Sequence, residues 1–276
     1  MRWTPGGRSP NLEDRRSMGG GLGKGLGLGG TVVVLALSLL FGRNLFNDLG
    51  VSPAVGAPAA PMSAADSAAQ ETKVQFVSFV LDDVQNTWAK ILPNTSNTRF
   101  TPARLVLFRN STDSGCGPAE SAMGPFYCPL DERVYLDLGF FDELKQRFGA
   151  AGDFAQAYVI AHELGHHIQH LLGTDARARQ AQESNPGAAN EVSVRVELQA
   201  DCYAGVWAGS TDQAKLEPGD VEEALNAASA VGDDRIQQQT RGRVNVDSFT
   251  HGSAAQRAAS FRRGFESRDP RSCTTL

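Results

Sequence analysis

The most constraining feature of this 276-residue chain is the run Val159-Ile-Ala-His162-Glu163-Leu-Gly-His166-His167. Residues four apart on an α-helix differ by about 40° in direction and about 6 Å in height, so the rings of His162 and His166 can converge on one ion. Glu163 projects about 100° from His162, close enough to address a water on that ion without ligating it. Phe154, Tyr158, Ala161, Gly165, Ile168 and Leu172 form an adjoining apolar face. A polar triplet bordering a buried stripe is costly to keep unless it binds something. The pattern therefore predicts a zinc site on a partly buried helix, with Glu163 as catalytic base.

A catalytic zinc takes three protein ligands and leaves a position for water. The chain has five histidines. His170 lies about 12 Å from His162 along a helix, too far to share one ion. A third histidine of the metzincin type is absent, because Leu172 stands where it would fall. The candidate is Glu197 in Val196-Glu-Leu-Gln-Ala-Asp201-Cys202, with Glu191 as fallback. Asp201, one turn on, can accept the second N–H of a ligand histidine and fix its tautomer. His251 and Tyr203 are the candidates for stabilising a developing oxyanion, His251 preferred.

Around this core the periodicities predict an α+β domain, a small sheet plus several helices. Helices are expected over Gln75–Ile91, Gly139–Phe148, from Asp153 to Leu172, from Asn190 to about Ala208, and from Asp220, where Glu223 makes a capping-box-like start. Arg104–Phe108 and Arg133–Leu138 read as strands, and Thr174–Ala189 as a surface loop.

Charge divides the chain. The net charge of −5 is +3 over residues 1–24, zero over 25–42 and −8 over the remainder. Eighteen uncharged residues rise about 27 Å as a helix, near the roughly 30 Å of bilayer hydrocarbon. Only Thr31–Phe41 is strongly apolar. A buried core helix and a cleaved signal peptide compete with an uncleaved anchor. The Gly/Arg-rich flank argues against the first, and Arg43 directly after the apolar core argues against the second. The expected organisation is a cytoplasmic tail (1–24), a single transmembrane helix that contacts lipid (25–42), an Ala/Pro linker (43–72) and a zinc domain (73–276). Basic residues ahead of the anchor predict that the domain faces outward, periplasmic in a bacterium. Gly25 and Gly29 could pair two anchors into a dimer. The acidic body argues against nucleic acid as partner.

Four cysteines, all beyond the apolar run, suit an exported body. Three connectivities are possible; Cys116–Cys128 with Cys202–Cys273 is the expected one, and buried free thiols are the alternative.

Several segments together resemble the bacterial membrane-anchored neutral zinc metallopeptidases of the YpfJ type. They are the Met1-Arg-Trp start, Glu13-Asp-Arg-Arg16 and the Gly-rich run after it. In the body they are Gly124-Pro-Phe-Tyr-Cys-Pro129, Asp142–Phe148, Asp153–Gln169, Glu197-Leu-Gln-Ala-Asp-Cys202 and Ser248-Phe-Thr-His251-Gly252. The resemblance implies a zincin-like peptidase fold at the inner membrane, with His162 and His166 as ligands, Glu163 as catalytic residue and a peptide or protein as substrate. A looser similarity to gluzincin peptidases of the membrane-embedded prenyl-protein protease and HtpX kind implies Glu197 as third ligand and a role for His251. Gly252 departs from the proline often found after that histidine. The expected activity is zinc-dependent endopeptidase, using one catalytic ion. A non-proteolytic zinc interaction module and a zinc amidase acting on cell-wall peptides are the alternatives.

Overall fold

The computed structural model describes residues 1–17 and 64–273. Its sheet has four strands in the order β1-β2-β6-β5: β1 (Leu12–Asp14), β2 (Arg104–Phe108), β6 (Arg133–Asp137) and β5 (Phe126–Cys128). The first three run parallel and β5 is antiparallel to β6. A hairpin, β3 (Ser111–Ser114) with β4 (Gly117–Glu120), lies beside it. Helices follow: α1 (Ala64–Thr95), α2 (Gly139–Gln146), α3 (Asp153–Leu171), α4 (Thr174–Ser184), α5 (Ala189–Ser210), α6 (Asp220–Ala230), α7 (Asp233–Arg241) and α8 (Ala254–Ser267). This is the expected α+β domain with a small sheet.

The run Arg104-Leu-Val-Leu-Phe108 is continuously apolar after its first residue because both faces of β2 are covered. Leu105 and Leu107 join the main core under the helices, with Leu136, Phe154 and Trp207. Val106 and Phe108 face a smaller cluster with Ala119, Cys128 and Tyr135. The Cys116–Cys128 disulfide ties the hairpin to β5, and the Cys202–Cys273 disulfide ties the C-terminal segment to α5. Both expected pairings are present, so the free-thiol alternative is set aside.

Several expectations need correction. Residues 1–17 are not a detached tail: β1 pairs in register with β2, and Trp3 packs on Phe76 and Phe79 of α1. The helical body begins at Ala64, inside the stretch read as linker. Thr174–Ser184 is helical rather than loop, with Ala178 buried against the body. Asp153 and Asp220 are the first residues of their helices, with Gly152 and Gly219 at the cap positions, and α5 begins at Ala189 rather than Asn190. Glu223 makes no capping box; its carboxylate accepts the Phe154 N–H across the α3–α6 contact. The α7 and α8 helices went unread, although Ser253 and Gln256 form a capping box on α8. The apolar run 25–42, with its Gly25/Gly29 pair, and residues 43–63 of the linker lie outside the described residues. Among the described residues, no helix is long and apolar enough to cross a membrane.

Candidate metal centre

Two helices carry the site. α3 is apolar enough on most of its circumference to be buried, and it ends where Gly173 adopts a positive φ of 67°. It meets α5 at Gly165, where an added Cβ would lie 3.0 Å from the Ala200 carbonyl oxygen. That close approach brings Glu197 beside both histidines. Gly205, further along α5, admits α8: a Cβ there would lie 2.0 Å from the Phe261 carbonyl oxygen.

His162, His166 and Glu197 each offer one ligand atom, and the three atoms lie within 4.8 Å of one another. His162 Nε2 is 3.1 Å from Glu197 Oε2, and His166 Nε2 is 3.5 Å from Glu197 Oε1. The remote ring nitrogens are occupied from behind. His162 Nδ1 donates to Asp201 Oδ1 at 2.8 Å, and His166 Nδ1 donates to Gln169 Oε1 at 2.8 Å. These bonds place the protons on Nδ1 and leave both Nε2 lone pairs converging toward Glu197.

Asp201 is fully buried and saturated. Beyond His162 it accepts the Tyr158 hydroxyl and a two-pronged contact from Arg257, Nε at 2.8 Å and Nη2 at 2.9 Å. Arg257, the arginine that follows Thr250-His251, has no role assigned from the sequence; its contact with Asp201 joins helices far apart in the chain, which local periodicity does not relate. Gln169 is held in turn by the Val196 carbonyl at 2.7 Å and by Gln199 at 3.0 Å, and Gln199 donates to the Cys273 carbonyl at 2.8 Å.

The electrostatics favour a cation. Glu163, Glu197 and Asp201 bring three carboxyl groups to the site, and Arg257 pairs with Asp201. Burial opposes charging of His162, yet Asp201, with Glu197, outweighs it and pushes the imidazole up to about 10. Burial would raise Glu197, but His166 and His162 hold it well below the carboxylate range. With no metal bound, protons thus take the place of the missing positive charge. Two imidazole nitrogens and one carboxylate, each oriented from behind, match the donor set of a catalytic zinc.

The site opens on a cleft of about 630 Å³. Glu163 and His251 line it together with Phe126, Phe140, Phe148 and Ile236. No hydrogen-bond partner reaches the Glu163 carboxylate among the described residues. His251 Nδ1 is engaged by Asp233 Oδ1 at 3.2 Å, and Asp233 also accepts the backbone N–H groups of Thr250, His251 and Gly252. That leaves His251 Nε2 for the cleft. Asp233 raises the His251 pKa against the effect of burial.

Other candidates fall away. Tyr203 is buried edge-on against Trp88, with ring centroids 5.2 Å apart, and is outside the cleft. Glu191 is exposed and paired with Arg195. His170 bonds Asp175 at 2.8 Å. His167 is fully buried: Nε2 donates to the Thr101 carbonyl at 2.7 Å, so Nδ1 accepts the Tyr127 hydroxyl at 3.0 Å and fastens β5 to α3.

Over residues 1–276 the sequence matches the profile of the family described as "Putative neutral zinc metallopeptidase". The chain belongs to that family. Among its relatives in this zinc metallopeptidase family, the "Uncharacterized protein YpfJ" of Escherichia coli (strain K12) is 46% identical over 287 aligned residues, covering 100% of this chain and 99% of that protein. The "Uncharacterized protein Rv2575" of Mycobacterium tuberculosis (H37Rv) is 47% identical over 207 residues, covering 71% of this chain and 68% of that protein. No solved structure matches the chain.

Proposed function

We propose that the protein is a zinc-dependent endopeptidase, with His162, His166 and Glu197 holding one ion and Glu163 acting as general base. The reading rests on one arrangement: three oriented ligand atoms converge beside an unpartnered carboxylate on the wall of an apolar cleft. Zinc bound there supplies a Lewis acid that acidifies a water and polarises the substrate carbonyl. The Glu163 carboxylate takes the proton of the attacking water and delivers it to the departing amine. His251, whose pKa Asp233 raises, donates from Nε2 to the oxygen on which charge develops.

The cleft explains a peptide substrate. β5 is the edge strand of the sheet, and its Phe126 and Tyr127 line the cleft. An extended chain adds to such an edge through main-chain hydrogen bonds, which hold any sequence in register, while side chains enter apolar pockets. The two disulfides support a body that works in an oxidising, extracytoplasmic compartment.

The test uses the purified chain and an unstructured protein substrate. Glu163→Gln should keep one zinc per chain and lose cleavage by about 10²- to 10⁴-fold. Cleavage equal to the parent, or a parent that binds no zinc, overturns the reading.

A further inference from the structure

Residues 1–17 carry a consequence for membrane topology. β1 is an integral edge of the sheet: Leu12, Glu13 and Asp14 register with Leu105, Val106 and Leu107. The ladder continues on both sides, Leu105 N to Asn11 O at 2.9 Å and Arg15 N to Leu107 O at 2.7 Å. The flanking residues are bound as specifically. The Met1 side chain is buried, and Arg2 N donates to Lys215 O at 2.7 Å. Ser9, also buried, donates to Asp82 at 2.6 Å.

The basic character of this segment is spent inside the domain. Arg8 grips Glu71 through Nε at 3.2 Å and Nη2 at 2.6 Å. Arg15 pairs with Glu13 at 2.7 Å, and Arg16 with Asp14 at 2.7 Å. Orientation by positive charge requires basic residues free to stay on the cytoplasmic side. Arginines held against α1 and the sheet stay on whichever side the domain occupies.

A strand hydrogen-bonded into a sheet cannot lie across roughly 30 Å of hydrocarbon from the sheet it completes. We infer that residues 1–17 and the cleft occupy the same side of any membrane the chain meets. This replaces the expected arrangement of cytoplasmic head and outward body. It stands independently of the peptidase reading.

The test uses the full chain in bacterial cells, with Ser17→Cys and Lys145→Cys made separately at exposed positions. Right-side-out and inside-out inner-membrane vesicles are treated with a membrane-impermeant maleimide. Both added thiols should label in the same vesicle orientation, with loss of labelling in the other. Ser17→Cys labelling in one orientation and Lys145→Cys in the opposite one overturns the inference. A second measurement joins Arg8→Cys to Glu71→Cys with a short bis-maleimide in unpurified membranes. An intramolecular cross-link supports the docked segment. Its absence, while each single variant still takes a monofunctional maleimide, overturns it. Neither readout depends on zinc or proteolysis.

Discussion

Among the described residues, helix α3 contributes to two clusters of potential metal ligands, and their surroundings differ. At its start, Asp153 meets Asp220 and Glu223; at its middle, His162 and His166 meet Glu197. Both sets bring their ligand atoms within 4.8 Å of one another. In the first, the chain itself answers the carboxylates. The Met1 ammonium pairs with Asp153 and with Asp220, the latter at 3.2 Å, while Asp220 and Glu223 also accept backbone N–H groups from Glu217 and Phe154. In the second, each imidazole is tied off at Nδ1 and its Nε2 is left converging with the others. A donor set oriented from behind, and not the number of acids, separates the proposed metal site from an ion-pair cluster.

The largest expected effect tests that contrast directly. Glu197→Ala should abolish zinc binding and cleavage, whereas Glu191→Ala, and Asp153→Asn combined with Glu223→Gln, should retain one zinc per chain by elemental analysis. Loss of the zinc from the Asp153/Glu223 variant alone would reverse the assignment of the two clusters.

Next comes the support behind the ligands. Asp201→Ala strands Arg257 in a fully buried position, and removing one partner of such a pair costs about 3–5 kcal/mol. Denaturant unfolding should show that loss, and zinc affinity should fall by about 10- to 100-fold, because His162 loses the acceptor that fixes its tautomer. Equivalent substitution of Asp153 should leave zinc affinity unchanged. An Asp201→Ala variant with parental zinc affinity would show that the buried network is structural only.

The two disulfides extend the comparison. Opening Cys202–Cys273, 71 residues apart, should cost about 4 kcal/mol, and opening Cys116–Cys128, 12 residues apart, about 3 kcal/mol on loop entropy. Only the first connects to the proposed metal ligands. The Cys273 carbonyl holds Gln199, which holds Gln169, which orients His166. Cys202→Ser with Cys273→Ser should therefore weaken zinc binding at temperatures where the fold persists, while the Cys116/Cys128 pair of substitutions should not. Equal zinc affinity in the two double variants would break that chain of contacts.

The sequence made the site more legible than the domain, for a physical reason. His162, Glu163 and His166 lie within five residues on one helix, so local periodicity alone relates them, and Glu197 with Asp201 repeats the four-residue spacing on another. Arg257 and Gln199 act through contacts between distant elements, which periodicity does not encode. The same limit applies to β1. Leu12–Asp14 is too short and too charged to read as a strand, and only its partner β2 makes it one. A basic segment before an apolar run reads as a membrane signal when the contacts that dock it, Arg8 with Glu71 and β1 with β2, are far apart in sequence. Helix α4 escaped because its sequence, Thr174-Asp-Ala-Arg-Ala-Arg-Gln-Ala-Gln-Glu-Ser184, has good helix formers but almost no apolar stripe.

The smallest effect concerns the wall of the cleft facing the metal ligands. Asp233 raises the His251 pKa, so His251 keeps its proton above the roughly 6.5 at which a free imidazole loses it. A raised histidine contributes its ion-pair stabilisation fully below that pH and loses it as pH rises through the folded-state value. If the same proton serves the substrate oxygen, cleavage should decline over that alkaline limb. Asp233→Asn should move the limb to lower pH, costing up to about tenfold in kcat/KM near neutrality for each unit of displacement. His251→Gln, a donor that does not titrate, should lower the rate and flatten the limb. A limb unmoved by Asp233→Asn would assign the pH dependence to the metal centre instead, leaving His251 as an anchor for the α7–α8 connection, where Asp233 already collects three backbone N–H groups.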